Sequence, residues 1–382
     1  MIKKIPCAII RGGTSKGIYL LEENLPEDVT ERKEVILKIF GSPDKRQIDG
    51  LGGADPLTSK VAIIRKSDCP EYDIVYTYGQ VAIDQPAVFF KGICGNISSG
   101  VGPFAIDEGL VEAVEPITTV RIFNTNTKKV FTAKVPVKDG KADVYGEYDI
   151  AGCPGTGARI RLDFSDTEGA ITGKLLPTGH VRDEISVAGY GTIEVSIVDC
   201  SVVEVYVRAS DMGICGTETP SEIDSDAELL KKCEALRGTV AAMLGLASSA
   251  ENAVKETANI PHLVIVSKAA DYENYLTGQQ IKKEEIDFTA RMLFLQKTHK
   301  TYAGTGSICT SVAARIPGSV VSACISADNM TTDSVRIGHP GGIIEVEAIV
   351  GQDDQTGACH VHKVEFSRTA RRIMDGFVYC RE

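Results

Sequence analysis

Apolar and polar positions recur along this chain with two periods, and those periods predict its elements. Residues 5–10 read as a strand ending in the loop R-G-G-T-S-K-G at 11–17. Residues 26–40 place Val29, Val35, Ile36, Ile39 and Phe40 at helical spacing, and Gly41 and Pro43 stop the run. Further strands are predicted at 61–64, 73–83, 120–137 (split by N-T-N-T at 124–127) and 158–164. Glycine-rich, loop-like sequence at 173–179 and 186–191 then suggests a boundary. Beyond it the pattern predicts strands at 192–199 and 201–208, and a helix opened by a capping box at Ser225 and Glu228 and lasting to about Leu246. A strand at 262–266, a helix at 284–297 and strands at 334–339 and 342–350 follow. Residues 368–376 read as a short basic helix. The chain thus divides into an N-terminal half, 1–182, a C-terminal half, 183–365, and a helix or strand at 366–382 that braces them.

The halves share one local design. Residues 91–105, K-G-I-C-G-N-I-S-S-G-V-G-P-F-A, are entered by an apolar run and left by an amphipathic one, so Cys94 stands at a predicted helix start. Unpaired N–H groups there favour negative charge, which lowers a thiol pKa and lets a thiolate carry a proton. Residues 300–318 repeat the arrangement, with Ala303-Gly304-Thr305-Gly306 set against Cys94-Gly95-Asn96-Ile97. This is one duplication, without the short period of a solenoid.

Composition narrows the function classes. At 382 residues, 43% hydrophobic and 24% charged, the chain is an ordinary globular one with room for two cores. Its formal charge of −11 argues against a nucleic-acid or anionic-membrane surface. No apolar run is long enough to span a bilayer, and the run before Arg11 is too short for a signal segment. The eleven cysteines are scattered without a disulfide framework or a C-x-x-C pair, so reduced thiols and a cytoplasmic location are expected. No metal-ligand pattern occurs, and none is expected from His360 and His362, which alternate on a predicted strand. The loop at 11–17 is rich in glycine and donors, suited to wrapping N–H groups around a carboxylate or phosphate, but it lacks the spacing of a P-loop. Residues 49–60 form a second glycine-rich loop. Lys60 falls where the second loop meets a strand.

These stretches together resemble the methylitaconate and methylaconitate Δ-isomerase family, the PrpF-like proteins, which includes 4-oxalomesaconate tautomerases. The matching motifs are R-G-G-T-S-K-G at 11–17, D-P-L-T-S-K at 55–60, C-G-N-I-S-S-G-V-G-P-F-A at 94–105 and N-T-N-T at 124–127. T-G-K-L-L-P-T-G at 172–179, A-G-T-G-S-I-C at 303–309, R-I-G-H-P-G-G at 336–342 and R-T-A-R-R-I-M at 368–374 complete the set in family order. The resemblance implies an α/β (α+β) diaminopimelate-epimerase-like fold: two pseudo-symmetric domains, each a sheet wrapped around a central helix, with the active site in the cleft between them. It implies no metal or organic cofactor, a small unsaturated di- or tricarboxylate as substrate, and a homodimer or homotetramer without nucleic-acid or membrane partners. It carries Cys94 and Lys60 over as the catalytic pair. It carries Thr14, Ser15, Asn96, Ser98, Gly304, Thr305 and Gly306 over as substrate-carboxylate contacts. One departure lies at 201–206, S-V-V-E-V-Y, where relatives more often show an N-P-containing run.

The implied reaction migrates a double bond, as in 3-methylitaconate to 2,3-dimethylmaleate or between 2-methylaconitate isomers. A base removes the proton α to a carboxylate, giving a dienolate, and an acid returns one at the γ-carbon; N–H dipoles at helix starts stabilise the developing charge. A racemase of this fold uses a thiol from each half, but Ala303 stands where the second would be. Lys60 is the family's second carrier, and it serves as base only if burial or a neighbouring cation, here Lys16 or Arg11, lowers its pKa. Keto–enol tautomerisation of 4-oxalomesaconate and an accessory role beside an aconitase-like dehydratase are the alternatives.

Overall fold

The computed structural model describes residues 2–326, 329–353 and 357–381. The chain divides into two compact units, Met1–Leu162 with Ser367–Glu382, and Asp163–Phe366, so residues 163–182 pack in the second.

In unit 1, β1 (Ile2–Gly12) forms a hairpin with β2 (Ser15–Leu21), and β2 runs parallel to β3 (Lys60–Lys66). β3 pairs antiparallel with β4 (Ile74–Val81), β4 runs parallel to β5 (Ile117–Asn124), and β5 pairs antiparallel with β6 (Lys129–Lys138). One face is covered by α1 (Val29–Phe40), capped by the Asp28 carboxylate; its Ile36, Ile39 and Phe40 pack with Ile18, Leu20, Val61 and Ile63. The central helical segment consists of α2 (Gly95–Ser98) and α3 (Val101–Asp107), which bury Ile97, Val101, Phe104 and Ala105. Tyr19 of β2 lies 5.8 Å from the Phe104 ring and donates its hydroxyl to Ile97 O at 2.5 Å. With both faces covered, β2 and β3 bury consecutive residues instead of alternate ones.

Unit 2 repeats the plan. β7 (Asp183–Val187), β8 (Gly191–Cys200) and β9 (Val202–Arg208) are successively antiparallel, and β9 runs parallel to β10 (His262–Lys268). β10 pairs antiparallel with β11 (Phe288–Phe294), which runs parallel to β12 (Ser334–His339); β12 and β13 (Gly342–Gln352) are antiparallel. β13 pairs in turn with β14 (Cys359–Arg368). Helices α4 (Pro220–Ser225) and α5 (Ala227–Met243) follow β9 in sequence, and the central helix is α6 (Gly304–Arg315), all twelve residues of which are buried. Gly306 permits that burial: a Cβ there would lie 2.2 Å from Met292 Cε and 2.7 Å from Glu204 Oε1.

The order antiparallel, parallel, antiparallel, parallel, antiparallel from β1 to β6 recurs from β8 to β13. The first parallel pair opens with Gly17 opposite Lys60 in unit 1 and Glu204 opposite His262 in unit 2. Tyr19 and Tyr206 are then equivalent, two positions on. Cys94 and Ala303, matched on sequence, are the N-cap residues of α2 and α6. The duplication is therefore structural.

Three expectations are corrected. Residues 288–294 of the expected helix 284–297 form β11, whose neighbours β10 and β12 bury its side chains consecutively, so no alternation reveals a strand. The capping box is at Thr219 and Glu222, opening α4; α5 starts instead from Asp226, whose carboxylate accepts from the Glu228 and Leu229 N–H groups. The expected basic helix at 368–376 is extended: the C-terminal strand Ala370–Arg381 pairs antiparallel along β1, from Ile2 opposite Arg381 to Gly12 opposite Ala370. Tertiary pairing there outweighs local helix propensity. Among the described residues no helix is long and apolar enough to cross a membrane.

Ile308 sits at 0% exposure in α6. Ile308→Ala is expected to destabilise the fold by about 2–5 kcal/mol through lost burial and the cavity left behind, read as a lower urea midpoint.

Candidate active site

The loop before β3 delivers Lys60 in a fixed position. Asp55 caps the short 3-10 turn Pro56–Thr58 by accepting from Leu57 N, and Gln47 anchors the loop. Gln47 donates to Ser42 Oγ at 2.9 Å and Ser59 Oγ at 2.8 Å, and accepts from Ala54 N at 2.8 Å. Lys60 is then only 3% exposed. Its Nζ donates to Gln80 Oε1 at 2.6 Å and to Tyr78 OH at 3.2 Å, both on β4. Burial pushes the amine below the usual lysine pKa, while Cys94 and Asp55 pull it back up. The depression comes from burial and not from Arg11 or Lys16, the cations expected on sequence. Arg11 instead donates to Gly13 O and to both oxygens of Thr369.

Cys94 is buried at the N-cap of α2, and its side chain makes no capping hydrogen bond. Its thiol interacts electrostatically with Lys60, with the Tyr19, Tyr76 and Tyr78 phenols, and with the Arg368 guanidinium. Burial raises all three phenols well above their usual value, so they stay protonated. Arg368, pushed down to about 10 by burial, remains a cation at neutral pH.

Asn96 ties two loops to this centre. Its Nδ2 donates to Thr14 Oγ1 at 3.0 Å, and its Oδ1 accepts from Arg368 Nε at 2.9 Å. Gly13 is needed beside it: with φ of +52°, a Cβ would fall 2.2 Å from Asn96 Oδ1. Ser98 is buried in α2 near the Tyr76 phenol. Ser15 opens β2, and its buried Oγ has no hydrogen-bond partner among the described residues. Unit 1 thus gathers Lys60, Cys94, Thr14, Ser15, Asn96 and Ser98, whereas Gly304, Thr305 and Gly306 form the first turn of α6 in unit 2.

Sequence reading missed Tyr78, Gln80 and Arg368. Tyr78 and Gln80 are two apart on a strand and share a face, but only the register places Gln80 opposite Lys60. Arg368 opens the stretch 368–376, which local pattern alone predicts to be helical. The departure at 201–206 resolves into a buried carboxylate: Glu204 accepts from Tyr206 OH at 2.6 Å and Thr310 Oγ1 at 2.9 Å, and lies 2.8 Å from His262 Nδ1.

The chain superposes on a hydroxyproline epimerase from Agrobacterium vitis with a TM-score of 0.58 at 11% identity, covering 99% of this chain and 93% of the other. It has the diaminopimelate-epimerase-like fold of such enzymes. The PrpF protein family profile matches residues 2–381, and the chain belongs to that family. It is 50% identical over 376 residues to 3-methylitaconate isomerase of Eubacterium barkeri, covering 98% of this chain and 97% of the relative. A crystal structure of methylitaconate-delta-isomerase matches with a TM-score of 0.81 at 50% identity, covering 99% and 96%. The (4E)-oxalomesaconate Delta-isomerase of Novosphingobium sp. (strain KA1) is 37% identical over 374 residues, covering 98% and 97%.

Because folded Lys60 loses its proton below the unfolded lysine value, the unfolded chain binds more protons between the two values. This site's contribution to stability therefore rises with pH through that window. Lys60→Met should remove the slope, seen as a wild-type minus variant stability difference that grows with alkalinity in urea titrations.

Proposed function

We propose that this protein is an isomerase that moves an allylic proton in a small unsaturated di- or tricarboxylate, with Lys60 and Cys94 as the two proton carriers. The observation that carries the reading is a buried lysine amine within the field of a buried thiol, among phenols held neutral. The identity to 3-methylitaconate isomerase makes a methylene-succinate the first substrate to try.

The reaction balances with these two groups. One carrier takes the proton α to a carboxylate, the π electrons shift one bond, and the other gives a proton to the γ-carbon. If Lys60 begins as amine and Cys94 as thiol, the turn ends with ammonium and thiolate, and one proton passing between them resets the site. The reverse assignment runs from thiolate and ammonium to thiol and amine. Either way the pair's net charge is constant, which suits a site closed to water.

Arg368, Asn96, Thr14 and Ser15 supply a cation and polar groups for a substrate carboxylate, and Ser98 adds a buried hydroxyl near Tyr76. We assign the first turn of α6, Gly304-Thr305-Gly306, to a substrate carboxylate as well, since it offers the backbone N–H groups of a helix start. Tautomerisation of 4-oxalomesaconate is the second reading, supported by a 36% identical relative named 4-oxalomesaconate tautomerase. A panel of methylitaconate, methylaconitate, itaconate and oxalomesaconate, followed by proton NMR of the double-bond region, separates the two.

Lys60→Ala and Cys94→Ala should each lose about 10²-fold or more in turnover while remaining folded by circular dichroism. Near-native turnover in Cys94→Ala would remove the mechanism. In D₂O the product's new methyl group should gain deuterium; complete retention of the substrate proton would favour a single base instead.

A further inference from the structure

We infer that Gln80 is a positioning residue for the proton transfer, an amide locked in one orientation that fixes the Lys60 nitrogen without adding negative charge beside it. The inference rests on the reading of Lys60 as a proton carrier.

Register and chemistry lock the amide. Gln80 is at 0% exposure on β4, directly opposite Lys60 on β3. Its Nε2 donates to the carbonyls of Pro56 at 3.2 Å and Ser59 at 3.0 Å, which can only accept. Its Oε1 must then face the other way, where it accepts from Lys60 Nζ at 2.6 Å and Tyr78 OH at 2.7 Å. A flipped amide would set its NH₂ group against the lysine's hydrogens and its oxygen against two carbonyls. Both carbonyls belong to the loop that carries Lys60, so one side chain holds the loop and the amine together.

The geometry also orients the amine. Gln80 Oε1 and the Tyr78 hydroxyl each accept from Nζ, so β4 sets two of the nitrogen's directions. Both acceptors are neutral. Charged or titratable groups facing Lys60 among the described residues include Cys94 at the start of α2, Asp55 in the preceding loop and Tyr78 on β4. Cys94 and Asp55 already draw its proton affinity up against the effect of burial. A carboxylate at position 80 would add to them and fix the lysine as ammonium.

Unit 2 shows the alternative in the same frame. The equivalent of Lys60 is His262, and the strand position across its parallel pair holds Glu204, whose carboxylate lies 2.8 Å from His262 Nδ1. Phe294 packs edge-on against that imidazole, with ring centroids 5.5 Å apart. Unit 1 has Gly17 where unit 2 has Glu204, and meets its basic residue from β4 with an amide.

The test is the pH profile of kcat and kcat/KM for methylitaconate isomerisation, read by NMR, in wild type, Gln80→Glu and Tyr78→Phe. In Gln80→Glu one limb should move to higher pH by about one unit or more, with KM changed far less than kcat. In Tyr78→Phe, which loses one acceptor for the ammonium, the same limb should move to lower pH. Superimposable profiles in folded Gln80→Glu overturn the inference. If that variant does not fold, an unmoved limb in Tyr78→Phe overturns it. Lys60→Ala separates the two levels: an inactive Lys60→Ala beside an unshifted Gln80→Glu removes this inference alone, whereas an active Lys60→Ala removes the assignment of Lys60 itself.

Discussion

Taking a lysine amine out of water is the constraint from which the rest of unit 1 follows. An ammonium moved into a protein interior costs several kcal/mol unless polar partners replace its hydration. Here the partners are an amide oxygen and a phenol on the neighbouring strand, with Asp55 and Cys94 acting over longer range. The net result is a lowered proton affinity, which is the property a lysine needs to exchange protons near neutrality. The structure around it is correspondingly stiff. Gln47 pins the loop, Gln80 pins the loop to β4, and Asn96 links α2 to Thr14 and Arg368.

The internal duplication shows how one frame carries two chemistries. Both units place a basic residue at the first position of the strand that opens a parallel pair, and both place a tyrosine two positions further along the partner strand. In unit 1 the helix start holds Cys94; in unit 2 it holds Ala303, and the carboxylate of Glu204 lies beneath the glycine-rich first turn of α6. The second unit has thus kept a buried polar cluster, closed by Tyr206, Thr310 and Tyr302, where the first has a thiol and an amine. Fully partnered networks of this kind favour one arrangement of a core over its competitors.

The sequence made legible what local pattern determines. Cys94 and Lys60 were visible because each adjoins a glycine-rich loop within a motif shared by the family, and the repeat was visible because both helix starts use small residues. What it hid depends on pairing between distant segments. Gln80 and Tyr78 look like ordinary strand residues until the β3–β4 register sets them against Lys60. β11 hid its strand character because it is buried consecutively, and the C-terminal strand was misread because its conformation is imposed by β1, more than 350 residues away in sequence. Sequence left two causes open for the Lys60 shift, burial or a neighbouring cation, and only the tertiary structure selects burial.

The central claim is that the Lys60 amine is buried with its proton affinity drawn down. Its most direct measurement is an NMR titration of protein carrying ¹³C-labelled lysine, with the Lys60 signal assigned by its absence in a Lys60→Met variant. The account predicts that this signal titrates below the ordinary lysine value of about 10.4. Titration at or above that value would contradict it.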